Sequence, residues 1–300
     1  KFPGIGLSSC ITGFLQDFNT NQLKFLLHLL NKLLKTIAMK TKNFLSFTVG
    51  FLIISTQIIS QQLISKPKPV ITLKIQTEGG SNGAAVVFNP DQQLYYAVFA
   101  GNADYPLESF DVKGENVNST NAGHDIRGMW WNPKNGMLEG NCYLDGGIVS
   151  YTLDDHGYAV NNSSIIFEGE GHQPGDHACG VYNFEKKEIL YYIDGTIRGY
   201  SRKNGKPSKT SIKLNLPVKS ENINWSGMIY TGVKGREFGV LDYVYRKIYL
   251  FNTYGNMTSA VQFPSDAAFY QAFNFSYANG MVFLFDKDRR EWTGYRIFDL

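Results

Sequence analysis

LESFDVKG, residues 107–114, is one of five copies of a short phrase: a branched or small residue, an aromatic two or three positions on, then a polar turn, usually with Gly. The others are IVSYTLDDHG (148–157), IRGYSRKNG (197–205), IYLFNTYG (248–255) and TGYRIFDL (293–300). Their aromatics are Phe110, Tyr151, Tyr200, Phe251 and Tyr295, spaced by 41, 49, 51 and 44 residues. An irregular period of this length, built from short strands and turns, marks a radial array of blades.

Working outward from each phrase completes the unit. An apolar strand precedes it, entered through Gly at Gly83, Gly128, Gly180 and Gly239, and without Gly at 272–277. Polar turns follow: Asn89-Pro90-Asp91, Asn132-Pro133-Lys134, Glu185-Lys186-Lys187, Tyr245-Arg246 and Ala278-Asn279-Gly280. Such residues reverse a chain between antiparallel strands. A second apolar strand comes next (LYYAVF at 94–99, ILYYI at 189–193, MVFLFD at 281–286), then the phrase itself as a third. In the fourth repeat IYLFN (248–252) serves as both. A weaker fourth strand follows in some repeats, such as 163–169 and 210–217. Strands that are apolar on both sides suit positions buried between neighbouring sheets.

The expected fold is therefore an all-β β-propeller of five blades, with six as the rival count because Met228–Gly232 reads as an extra strand. The last repeat lacks an outer strand. Pro69–Thr77 (PVITLKIQT) alternates well and is expected to supply it, closing the ring. The Asn-Pro turn followed by a Leu-Tyr-Tyr strand resembles the NHL, regucalcin and YncE-like propeller groups over about 230 residues. That resemblance implies the fold and not a substrate.

The segment before the repeats reads differently. Met39-Lys40-Thr41-Lys42 leads an apolar run from Phe44 to Ile59 with a polar exit at Ser60-Gln61-Gln62, the pattern of a secretory signal peptide. Residues 39–61 are assigned to that signal and 62–300 to a secreted or periplasmic propeller. An uncleaved anchor is the alternative, and the Ser, Thr and Gln residues within the run make it a poor span. Residues 1–38 contain a basic, leucine-rich amphipathic helix at Gln22–Ala38, suited to a membrane surface; alternatively the chain starts at Met39 and 1–38 is no part of the fold. The 29 basic and 26 acidic residues include six Lys and one Asp before residue 62, which leaves 23 and 25 in the domain. A net charge of −2 gives no reason to expect nucleic acid as a partner. Cys142 and Cys179 can pair in an oxidising compartment, or stay as two separately buried thiols.

In a propeller the loops leading into the inner strands gather around the central channel. Here those loops are 78–82, 121–127, 169–179, 222–238 and 264–272. They bring His124, Asp125, Arg127, His172, Asp176, His177, Trp225, Arg236, Glu237, Asp266 and Tyr270 as candidate ligand-binding residues. Aromatic rings beside Asp, Arg and His fit a saccharide or other small ligand at the channel mouth. The same His and Asp side chains are suitable ligands for a divalent ion, so a metal-dependent hydrolase or lactonase is the enzyme alternative, although no metal-binding spacing is present. The bland alternative is a protein-interaction scaffold whose loop residues only cap strands. No nucleophile elbow or phosphate loop occurs in the domain, and no cofactor is required by the sequence.

Overall fold

The computed structural model describes Lys24, residues 27–32 and residues 63–299. Lys24 and residues 27–32 are helical and exposed; the signal segment expected at 39–61 lies outside the described residues. Residues 63–299 belong to a separate compact unit.

That unit is a five-bladed β-propeller. Strand β1 (Pro69–Lys74) comes first in the chain. Blade 1 follows as β2 (Asn82–Asn89), β3 (Leu94–Ala100), β4 (Pro106–Phe110) and β5 (Asn116–Asn121). Blade 2 is β6 (Ile126–Asn132), β7 (Met137–Cys142), β8 (Ile148–Leu153) and β9 (Ala159–Phe167). Blade 3 is β10 (Val181–Asn183), β11 (Glu188–Ile193), β12 (Thr196–Ser201) and β13 (Pro207–Lys213). Blade 4 is β14 (Ile229–Tyr230), β15 (Phe238–Asp242), β16 (Lys247–Phe251) and β17 (Met257–Gln262). Blade 5 is β18 (Phe275–Ala278), β19 (Met281–Asp286), β20 (Glu291–Arg296) and then β1, paired antiparallel to β20.

The ring is thus closed by the N-terminal strand, as the alternation at 69–77 implies. The seam extends past β1: Leu63 bridges Phe298, the Ile64 N–H donates to the Ile297 carbonyl, and the Ile75 N–H donates to the Arg290 carbonyl.

Five apolar layers fill the five gaps between blades. Because side chains alternate across a strand, each middle strand serves two layers at once. On β3, Tyr95, Ala97 and Phe99 face blade 5, while Leu94, Tyr96 and Val98 face blade 2. On β19, Phe283 and Phe285 face blade 1, and Val282 and Leu284 face blade 4. The outermost strands have only one neighbour, and β5 and β13 show the half-exposed alternation that follows. All five repeat aromatics lie on third strands, and each sits in a different layer, packed against the preceding blade.

The glycines that open the inner strands have a steric cause. A Cβ on Gly128 would lie 2.3 Å from the Gly180 nitrogen, and one on Gly83 would lie 2.2 Å from the Trp292 ring. At Gly128 the neighbouring inner strands approach too closely for any side chain, and at Gly83 the space is filled by the indole of Trp292 from the third strand of blade 5.

Blade 4 departs from the sequence reading. Gly239-Val240-Leu241-Asp242 was expected on the inner strand, but it forms β15, the second strand. The inner strand is β14, part of the segment that suggested a sixth blade. The cause is a repeated turn. In blades 1–3 the side chains of Asn89, Asn132 and Asn183 accept bonds from N–H groups two or three residues on, and close the turn from first to second strand. Asp242 and Asp286 build the same turn in blades 4 and 5, but join second to third strands. With β14 restored, β16 serves only as a third strand.

Polar groups cross the gaps as well. Glu139 on β7 is fully buried, and accepts from Arg202 of blade 3 at 2.7 and 2.8 Å and from Trp130, Asn132 and Asn135. Burial raises this carboxyl, but the Arg202 hydrogen bonds and charge, with the two amides, outweigh it and hold it below the usual glutamate value.

Two outcomes follow. Leu73→Ala, at a fully buried seam position, loses about 2–5 kcal/mol in urea unfolding, whereas Val70→Ala, 54 % exposed on the same strand, changes stability by less than about 0.5 kcal/mol. A depressed carboxyl stabilises the fold above its unfolded value, 4.5 for glutamate, and that contribution disappears as pH falls through the lower folded value. Urea midpoints measured from pH 6 to pH 3 should fall less steeply for Glu139→Gln than for the wild type, from a lower starting stability.

Candidate functional site

The inner strands β2, β6, β10, β14 and β18 run in the same direction around the axis, so the channel has two distinct rims. The upper rim is where the chain enters these strands; the lower rim is where it leaves them.

At the upper rim, side chains from four blades touch across the axis. Arg127, the second residue of β6, is buried and ion-paired with Asp125, with Nη2 3.0 Å from Oδ2. Its guanidinium lies 4.4 Å from the Tyr143 ring centre and 5.7 Å from that of Phe273 in blade 5. His177 meets Tyr143 at 5.0 Å, Trp225 at 5.8 Å and Phe273 at 6.3 Å, and Trp225 meets Phe273 at 6.1 Å. Trp225 remains 47 % exposed. The Arg127 Nε is buried without a hydrogen-bond partner. Three buried asparagines hold the surrounding loops. Asn141 accepts from the Gly180 N–H, Asn274 accepts from the Gly83 N–H, and Asn224 donates to the Tyr270 and Phe273 carbonyls.

Asp125, Arg127, His177 and Trp225 are therefore brought together. The other candidates go elsewhere. His124 hydrogen-bonds Ser163 at 2.7 Å on the outer strand of its own blade, and burial lowers its pKa. His172 stacks on Phe167, with Nδ1 3.0 Å from the Gly205 carbonyl, in the gap between blades 2 and 3. Asp176 is exposed on the same loop. Asp266 lines a small cleft on the flank of blade 5 with Arg289 and Glu291. Tyr270 packs under the Lys287 ammonium, 4.6 Å from its ring centre. Arg236 and Glu237 were expected beside Trp225, but β14 intervenes. They follow it, on the connection to β15 at the lower rim. Among the described residues no group of three or more His, Cys, Asp or Glu is placed to share a metal ion.

Tyr143 and Phe273, absent from the sequence candidates, complete the cluster. Each lies at the edge of an element already read as strand or loop, and nothing in its local sequence marks it.

The lower rim has a different chemistry. A cavity of 340 Å3 opens there, lined by the lower ends of the inner strands and the turns that follow. Its walls include Phe88, Trp131, Tyr182, Phe184, Tyr230 and Tyr277, and none of its lining residues is charged. Burial raises the Tyr230 hydroxyl to about 12, helped by Glu185 and Glu237, and raises that of Tyr277 further. Both therefore stay protonated at neutral pH. The Trp131 Nε1–H is buried without an acceptor. Such a cavity falls within the size range of ligand pockets, about 300–1,000 Å3. Sequence reading missed it because its lining alternates with core residues on the inner strands and looks like core itself.

No protein-family model and no curated protein matches the chain. Solved structures similar to it include a functionally unknown protein from Desulfotomaculum acetoxidans DSM 771, at 14 % identity and TM-score 0.44, covering 62 % of this chain and 73 % of that one. The Cps50 (Swd1) β-propeller domain of Myceliophteria thermophila is similar at 9 % identity and TM-score 0.45, over 77 % of this chain and 99 % of that one. A chain of a nidogen/laminin complex is similar at 10 % identity and TM-score 0.42, over 68 % and 72 %. The propeller fold that the sequence resemblance implied is present, and none of the structures named here is described as an NHL, regucalcin or YncE-like protein. Among the described residues no helix is long and apolar enough to cross a membrane.

Cys142 and Cys179 flank the upper cluster as free buried thiols, and burial pushes both up to about 12. The bridge allowed by the sequence is not formed. A thiol this weakly acidic is a poor nucleophile at neutral pH. Alkylation with iodoacetamide at pH 8, followed by peptide mass spectrometry, should leave both unmodified in the native protein and modify both in 6 M guanidinium. Recovery of a Cys142–Cys179 linked peptide from unreduced protein would contradict this.

Proposed function

We propose that this propeller is a small-molecule recognition module whose ligand occupies the central channel from the lower rim. The observation that carries this is the 340 Å3 cavity, whose walls are uncharged and rich in aromatic rings. Rigid rings lose little entropy on contact, so binding here needs no large reorganisation. The lining carries no His, Cys or carboxylate beside its hydroxyl groups to activate them, which favours recognition over turnover.

A second reading has its own support. The half-exposed Trp225 beside His177, above the Asp125–Arg127 pair, offers the stacking face and polar groups that a saccharide uses. Under this reading the upper rim is the recognition surface of an exported protein, with residues 39–61 as its export signal.

One pair of titrations separates the two. Ligand-observed NMR with indole and 2-naphthol should show binding that weakens at least 5-fold in Phe184→Ser and is unchanged in Trp225→Ala. Phe184 is 53 % exposed, so its replacement leaves the fold intact. If neither probe binds, but an oligosaccharide panel quenches tryptophan fluorescence and Trp225→Ala abolishes the quench, the upper rim is the site.

A further inference from the structure

The lower cavity does not end at the channel wall. A second recess of 280 Å3 adjoins it and shares Pro133, Tyr182 and Phe184. Its remaining lining is Asn132, Lys134 and Lys187. The two lysines come from the equivalent first turns of blades 2 and 3, and both are exposed. The combined site is therefore amphipathic, with an uncharged aromatic interior and two ammonium groups at one end.

We infer that the channel ligand is a flat aromatic acid: a planar ring system held among Trp131, Phe184 and Tyr277, with its carboxylate or equivalent anion toward Lys134 and Lys187. The inference rests on the channel reading above and adds the chemical class. The direction of the acid is fixed by the surrounding charges. Glu237 follows β14 on the blade 4 side and would repel an anion. Glu185 shares the blade 3 turn with Lys186 and Lys187, so cations outnumber it locally. Asn132 is already engaged with Glu139 and with its own turn, and does not compete for the anion.

Isothermal titration of the full chain with 2-naphthoate and with neutral 2-naphthol tests this, alongside the Lys134→Gln/Lys187→Gln double variant. Naphthoate is expected to bind about 3- to 10-fold more tightly than naphthol, the range for two exposed ion pairs. The double variant should bring naphthoate to the level of naphthol while leaving naphthol unchanged. Added salt should weaken only naphthoate. Equal affinity for both probes overturns the acid assignment and leaves the channel reading standing. No binding of either overturns both. A naphthoate preference that survives the double variant places the anion elsewhere and overturns the assignment. Both lysines are exposed, so an unchanged thermal midpoint is the expected control for folding.

Discussion

Everything in this ring depends on the antiparallel pairing of β1 with β20. A propeller blade cannot bury its faces alone, because its middle strands are apolar on both sides. Each needs a neighbour on the left and on the right, and a row of blades leaves two faces open. The pairing of Pro69–Lys74 with Glu291–Arg296 turns the row into a ring. It ties together segments more than two hundred residues apart, so the chain meets a large loop-closure cost before the last apolar layer can form. That layer, with Leu73, Phe99, Phe283 and Trp292 fully buried, is what offsets the cost.

The two rims then differ for a reason rooted in direction. All five inner strands point the same way, so the loops before them meet at one end and the turns after them at the other. The loops are long and varied, and carry Asp125, His177 and Trp225. The first turns of blades 1–3 are short and built alike around Asn89, Asn132 and Asn183, and to the hollow and its margin they bring Pro90, Pro133 and Phe184 with Lys134 and Lys187. One end of the channel therefore holds a charged and aromatic cluster, and the other an uncharged hollow with lysines at its margin.

Much of this was legible in the residues. The five aromatics kept their spacing because each meets the same demand, a ring in the gap behind its own blade. Once they are aligned, the closing strand and the loops that carry Arg127 and His177 follow. Blade 4 was misread because Asp242 builds a turn chemically equivalent to that of Asn89, one strand later. That slip also moved Arg236 and Glu237 to the wrong rim. His172 and Asp266 lie on the expected loops, but their side chains turn into gaps at the sides of the blades. Side-chain direction in a long loop is set by tertiary packing, which no local pattern records. The hollow was invisible for a related reason: Trp131, Tyr182 and Tyr277 look like core until the empty axis beside them is known.

The unusual brevity of β14 has a dynamic consequence. Its partners on β15 are Ile229 with Gly239 and Tyr230 with Phe238, supplemented by the bridge from Ile223 to Asp242 and by backbone bonds from Thr231 to Glu237 and from Asn224 to Leu241. The wall it forms is held by fewer ladder bonds than the eight-residue β2 or seven-residue β6. Local opening requires least free energy where the fewest backbone bonds must break. Tyr230 and Thr231 stand on that wall and line the hollow. Slow amide exchange around the ring would thus be interrupted at one sector, beside the hollow.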